Sequence, residues 1–326
     1  MQNQPVVTGT KATGKNLIFC AYAYESEMQG STNVANGNAT KGKELYMKNI
    51  VVALGSAKMS NANTAVALVT NIEIDEPYAS LLKNNGILIY KEPFDCFNFG
   101  SRYRWGLAFY KLCALKKVLA YDYDNYLLID ADTYTFSNID DLWLQTADYL
   151  MLYDLGHRPT VPNCAKFYRE AKAFNGVERQ MTKYGGEFIA GNKQILTSFV
   201  NKAEVIFMQL KESGFQTTGG DEFIVNNAAD QMRGQIKNAG GYIQRYWTAI
   251  EFNHVCTYHI YDPISILHVP LEKKVGIMLV YKYYVRHNQF PSKECVFWML
   301  NVPHAPMKLT LLLKRLRGRV RVMMAK

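Results

Sequence analysis

"NYLLIDADTYTFSNIDDLW", running from Asn125 to Trp143, decides how this chain is read. Its opening is a short apolar run of the kind that fills a strand buried on both faces at the centre of a parallel sheet. Asp130 and Asp132 follow at once. In open α/β sheets, ligands gather just outside the carboxyl ends of the strands. On a continuing strand two such side chains face opposite ways, whereas a chain that turns at the strand end can aim both at one ion. Hard divalent cations prefer oxygen ligands, and Mg2+ is commonly held by one or two carboxylates together with phosphate oxygens. The pair therefore proposes a metal–diphosphate site. The competing reading is a surface turn in which an aspartate caps the next segment.

Upstream, strand and helix patterns alternate. "NLIFCAYAY" (16–24) is short, apolar and aromatic-rich, and predicts a buried strand. A polar loop follows, then a helical pattern over 44–60, a strand over 64–70, a short helix over 77–86 that opens with Pro and closes at Asn-Gly, and the strand "ILIY". An amphipathic pattern over 104–118 leads into the Asp-Ala-Asp strand. This order predicts an α/β fold with a mostly parallel central sheet flanked by helices. Downstream, "ADYLMLYD" predicts a strand, 154–184 a long irregular or partly helical excursion, and "GGEFIAGNKQIL" a strand with its turn. A helix ended by Gly214 follows, and "GGDEFIVNNAAD" opens another.

The net charge of +9 is concentrated at one end. Seven basic residues and no acidic ones fall between Lys308 and Lys326, which leaves about +2 for everything before them. The body is close to neutral, and no RNA-recognition motif or stacking platform accompanies the tail, so nucleic acid is not an expected partner. The six cysteines are scattered without a C-x-x-C pair, which suits buried thiols better than zinc ligands or disulfides. The N-terminus lacks a secretory apolar core, and no apolar run reaches the roughly 18 residues of a membrane span. The expectation is a cytoplasmic protein.

At this point "LLIDADTYTFSNIDDLW" resembles the metal-binding segment of glycosyltransferase family 8, the retaining nucleotide-sugar enzymes that include glycogenin and bacterial lipooligosaccharide galactosyltransferases. That family's D-A-D-T is followed by N-I-D-D-L-F, and Asn138 to Trp143 keep the spacing. "FYKLCAL" resembles the preceding helix, with Lys111 in the place of a lysine that contacts the nucleotide sugar. "GEFIAGNKQI" resembles the F-N-A-G-V strand, keeping Phe188, Ala190 and Gly191, with Ile189 where the family has Asn. "GGDEFIVNN" resembles the segment beside the donor sugar, with Asp221, Glu222 and Asn226 at matching places. "ILHVPLEKK" resembles the final motif, in which His completes the metal site and Lys meets the diphosphate; His268 and Lys274 hold those positions, while Leu271, Val275 and Gly276 replace Gly, Pro and Trp.

The resemblance spans about 16–276 and implies a GT-A-type catalytic domain over 1–276. Its nucleotide-binding half covers about 16–143 and its acceptor half 144–276, with a C-terminal extension over 277–326. It implies Mn2+ or Mg2+ held by Asp130, Asp132 and His268, the histidine favouring Mn2+ because imidazole is softer than Mg2+ usually accepts. It also implies a UDP-linked sugar donor contacted by Ala21, Tyr22, Lys111, Ala131, Gly191 and Lys274. Asp221 touches the sugar and Glu222 the reaction face, where a carboxylate acts as nucleophile or stabilises an oxocarbenium-like state. Plainer readings stand beside these. His268 suits a buried histidine satisfied by a backbone carbonyl, Asp221 an N-cap for a helix beginning around Phe223, and Tyr22 a core aromatic. Asp154, His157 and Arg158 border the acceptor on this reading, and the acceptor itself is a glycan, glycolipid or protein.

The tail "KLTLLLKRLRGRVRVMMAK" interleaves apolar and basic residues and, as a helix, suits an anionic membrane surface. A solvated basic tail is the alternative. A homodimer is a further expected partner state. The rival functions are a non-catalytic nucleotide-sugar or carbohydrate-binding protein and a metal-dependent nucleotidyltransferase.

Overall fold

Side chains alternate between two apolar cores along the first strand, β1 (Asn16–Tyr22): Leu17 and Phe19 enter one, Ile18, Cys20 and Tyr22 the other. The computed structural model describes residues 15–25, 39–100, 103, 105–156, 162–176, 178, 181–248 and 264–302. Helix α1 (Ala39–Ser60) begins before the 44–60 pattern and covers one face of the sheet with Ile50, Val51 and Leu54. Then come β2 (Ala65–Thr70), α2 (Tyr78–Asn84) and β3 (Leu88–Lys91). The single helix expected over 104–118 divides into a 3-10 turn, Gly106–Phe109, and α3 (Tyr110–Val118). Next is β4 (Asn125–Ile129), buried at every position. β1 to β4 pair in parallel, in the order β3-β2-β1-β4.

After β4 come the three-residue β5 (Thr133–Thr135), the short α4 (Leu142–Gln145) and β6 (Leu150–Asp154). The stretch expected to be irregular or partly helical carries α5 (Pro162–Asn175). β7 (Tyr184–Asn192) pairs antiparallel to both β4 and β6. Asn192 caps α6 (Lys193–Ser213) by accepting from the Ile195 amide at 2.8 Å, and Gly214 ends it at φ 71°. Then follow α7 (Asp221–Asp230), β8 (Ile236–Asn238), β9 (Ile243–Arg245) and β10 (Ile266–His268). The main sheet has the order β3-β2-β1-β4-β7-β6-β8, and a smaller one the order β5-β10-β9.

Helices α8 (Gly276–His287) and α9 (Lys293–Met299) lie in the stretch read as an extension. Ile277, Val280, Val296 and Phe297 join the same core as α1, so the described part of that stretch is built into the body. The tail 308–326 lies outside the described residues. No described helix is long and apolar enough to cross a membrane.

Candidate metal centre

β4 carries Asp130 to the carboxyl edge of the sheet, and the chain turns there. The Thr133 hydroxyl donates to the Asp130 carbonyl at 2.8 Å, after which β5 runs antiparallel to β10. The register sets His268 opposite Thr133, and the Val269 amide donates to the Asp132 carbonyl at 3.0 Å. Helix α1 braces β5: Ser56 Oγ accepts from the Thr135 amide at 3.0 Å, and Ser60 Oγ donates to the Thr135 carbonyl at 3.2 Å. Backbone pairing thus brings an imidazole from late in the chain beside the two aspartates.

The ligand atoms of Asp130, Asp132 and His268 all lie within 4.8 Å of one another. His268 Nε2 is 3.2 Å from Asp132 Oδ2 and 3.9 Å from Asp130 Oδ2. Asp132 and His268 are buried, yet neither Asp132 Oδ2 nor His268 Nδ1 makes a hydrogen bond of acceptable geometry. A cation between the two carboxylates would take Asp132 Oδ2 and the ring's Nε2, leaving Nδ1 free to face another carboxylate, and this donor set fits Mn2+ or Mg2+.

Cations ring the acids. Lys273 Nζ is 3.0 Å from Asp132 Oδ2. Lys111 Nζ, on α3, bridges Asp130 Oδ1 at 2.8 Å and Asp221 Oδ2 at 3.1 Å, and donates to the Gly186 carbonyl at 3.3 Å. Burial opposes charge on Asp132, but Lys273 and His268 hold its carboxyl well below the usual carboxylate range. Burial likewise pulls His268 down, and Asp132 and Glu187 outweigh it, lifting the imidazole to about 9. At Asp221 burial wins: against the pull of Lys111, and with Glu222 adding repulsion, its carboxyl rises to about 6.

Two residues of the site, Glu187 and Arg245, are not among those the motifs above singled out. Glu187, fully buried on β7, pairs through both oxygens with Arg245, and its Oε1 lies 3.4 Å from His268 Nδ1. Arg245 Nη2 also donates to Glu222 Oε1 at 2.9 Å. A buried ionic chain therefore runs from Asp132 through His268, Glu187 and Arg245 to Glu222. Metal-bound histidines commonly give their second ring N–H to a carboxylate, and Glu187 stands where that partner belongs. The preceding glycines make room: a Cβ on Gly185 would collide with the Glu187 carboxylate, and one on Gly186 would sit 2.8 Å from Asp221 Oδ2. An acid in an otherwise apolar strand, directly after Gly-Gly, is the signal that could have revealed Glu187.

Ala21, Tyr22, Lys111, Asp130, Ala131, Asp132, Asp221, Glu222 and His268 all border one cavity of about 310 Å3, together with Trp105 and Trp247. Three expectations are corrected. Lys274 is exposed and does not border the cavity; its neighbour Lys273 does, because the turn after β10 points that residue inward. Gly191 lies at the far end of β7, opposite Tyr126, where a Cβ would press on Leu196. The site end of that strand is Gly185 to Glu187. Asp221 is not an N-cap: α7 starts at Asp221 itself, after Gly220 at φ 58°, and its carboxylate goes to Lys111.

Other motif residues have structural work. Ile189 is in the apolar core. Asn226 pins α7 to β7, accepting from the Tyr184 amide at 2.7 Å and donating to the Tyr184 carbonyl at 2.9 Å. Asn138 and Asp140 close an exposed turn that leads Ile139, Leu142 and Trp143 into the core. Asp154 ends β6 outside the cavity wall and accepts from the Gly156 amide at 2.7 Å. His157 and Arg158 lie outside the described residues.

Comparisons with protein-family models and with curated proteins gave no match for this chain. The chemistry of the site rests on its own geometry.

Proposed function

We propose that this chain is a metal-dependent, retaining glycosyltransferase of GT-A type that moves a hexose from a UDP-linked sugar to a glycan, glycolipid or protein acceptor. One observation carries the reading: an Asp-x-Asp pair at the carboxyl edge of a central strand meets a histidine from far along the chain, beside a cavity of about 310 Å3. That volume is in the range of small-ligand sites. A second cavity of about 290 Å3, bordered by Lys166, Lys183 and Phe223, shares Glu222 with the first. Glu222 thus stands between two spaces, as a group at the junction of donor and acceptor would.

The residues divide the task. A bound Mn2+ or Mg2+ would offset the negative charge that grows on a departing diphosphate. Asp130, Asp132 and His268 would hold it. Lys111 and Lys273 place two further positive charges at the same wall, and fixed charges in a dry site act most strongly where charge develops. Lys111 also holds Asp221 toward the cavity, where a carboxyl group can hydrogen-bond a sugar hydroxyl. Arg245 fixes the direction of Glu222, which faces the sugar's reacting side either as nucleophile in a double displacement or as counter-charge in a front-face substitution. Tyr22 and Ala21 floor the pocket for the nucleotide. The basic tail 308–326 would hold the chain at an anionic membrane that presents the acceptor; equal liposome partitioning with and without it would remove that element.

The test is a panel of nucleotide sugars incubated with the full chain and Mn2+. Release of free nucleoside diphosphate, abolished by chelation, is expected. Nucleoside monophosphate or pyrophosphate would identify a nucleotidyltransferase. Binding with no turnover across varied acceptors would identify a carbohydrate- or nucleotide-binding protein.

A further inference from the structure

Away from the metal centre, two thiols sit closer than unbonded sulfurs normally approach. Cys96, in the loop after β3, and Cys113, on α3, place their Sγ atoms 2.9 Å apart while both remain free thiols. Cys113 is wholly buried and contacts the Pro93 carbonyl at 3.4 Å. Cys96 is half-buried and borders a separate surface cavity of about 480 Å3, with Asp95, Lys116 and Lys117. Asp95 brings a carboxylate within 4.8 Å of both sulfurs, so a soft metal is the first alternative to weigh. Two thiolates on one tetrahedral zinc, each bonded at about 2.3 Å, stand roughly 3.7 Å apart. A spacing of 2.9 Å falls short of that and lies on the way to a covalent bond of about 2.05 Å.

We propose that Cys96 and Cys113 form a thiol–disulfide exchange site whose co-reactant is a low-molecular-weight disulfide. Only Cys96 is reachable from the cavity. Its thiolate, after losing a proton to solvent, attacks one sulfur of the small disulfide, forming a mixed disulfide and expelling one small thiolate. Cys113 then loses its proton and attacks Cys96 Sγ, forming the internal disulfide and expelling the second small thiolate. Two electrons pass from the pair to the small disulfide, and two protons leave the protein. In the resting pair the Cys96 S–H is directed at Cys113, and that contact together with burial holds the Cys96 thiol above its ordinary range. Loss of the Cys96 proton therefore limits the first attack, and the contact is gone once Cys96 enters the mixed disulfide. The new bond would close the segment 96–113, which supplies Trp105, Leu107, Ala108 and Lys111 to the wall of the first cavity. The inference is independent of the proposed catalytic activity.

The experiment incubates the full chain with oxidised glutathione and maps its cysteines by mass spectrometry after alkylation and non-reducing digestion. The expected product is one linked peptide pair, Cys96 with Cys113, lighter by two hydrogens, reversed by dithiothreitol and unaffected by EDTA. Oxidation should raise Tm by roughly 5 °C, as closure of a loop of this length implies. Cys113→Ser should stop at one glutathione on Cys96, and Cys96→Ser should leave Cys113 unmodified. Should Cys113→Ser not fold, the wild-type map and Cys96→Ser, at the half-exposed position, decide alone. The proposal is overturned if both thiols of the folded wild type still alkylate after oxidation. Protection of both thiols by zinc that EDTA reverses, with no linked pair formed, would overturn it equally.

Discussion

Two buried aspartates border the same cavity and are held in opposite ways. Asp132, in the candidate metal centre, is pinned as the anion by Lys273 and His268. Asp221, at the other end of the cavity, shares Lys111 with Asp130, adjoins Glu222, and keeps its proton up to about 6. Burial is similar at both; the number of cations per carboxylate differs. On the proposed function, a site that grips an ion and also presents a carboxyl group to a neutral sugar needs this inequality, and pairs of acids driven apart by their surroundings mark such divisions of labour.

The largest effect should come from Asp132→Asn, which removes a proposed ligand and takes away the carboxylate nearest to Lys273 and to the His268 Nε2. Mn2+ affinity, followed by electron paramagnetic resonance, should weaken at least 100-fold, and nucleoside diphosphate release should fall about 1000-fold. Gly186→Ala should damage the other end only. Its methyl group displaces the Asp221 carboxylate, lowering kcat by about 100-fold while the Mn2+ Kd stays within twofold. Equal losses of both properties would erase the division between the two ends.

Glu187→Gln keeps the shape of the buried chain but removes the charge behind His268. Mn2+ affinity should weaken by about 10–100-fold, as loss of such outer partners generally does. Unchanged affinity would show that Glu187 serves Arg245 alone. Asp221→Asn probes the raised carboxyl through stability. A group whose folded pKa is about 6, against 3.8 in an unfolded chain, stabilises fully below 3.8 and loses that contribution as pH rises through 6. Relative to wild type, the amide variant should gain up to roughly 3 kcal/mol in denaturant unfolding above pH 6 and nothing at pH 3. The smallest effect is expected at Lys274→Ala, exposed beside Lys273, with kcat/KM within twofold of wild type.

The parallel half of the sheet and the Asp-x-Asp edge were legible in the sequence because β1, β2 and β4 are continuous apolar runs, a pattern central strands impose. The rest of the site was legible only in pieces. β5, β9 and β10 have three residues each, too few for an alternation to show, yet they deliver Arg245 and His268. Lys273 and Lys274 are indistinguishable by composition. The turn after β10, in which the Glu272 amide donates to the Val269 carbonyl at 3.0 Å, selects between them. Gly191 was out of reach because the resemblance points to a strand but not to which end of an antiparallel β7 borders the cavity.

The pairing of β5 with β10 also makes the centre a late product of folding. Its aspartates are in place once β4 exists, but the imidazole, Arg245 and Lys273 arrive only when the chain closes a long detour, a slow and entropically costly event. A growing polypeptide released before β10 would possess most of the sheet but only the two carboxylates of the proposed ligand set. On the proposed function, the full set of ligands for an ion would exist only in molecules that have closed this pairing.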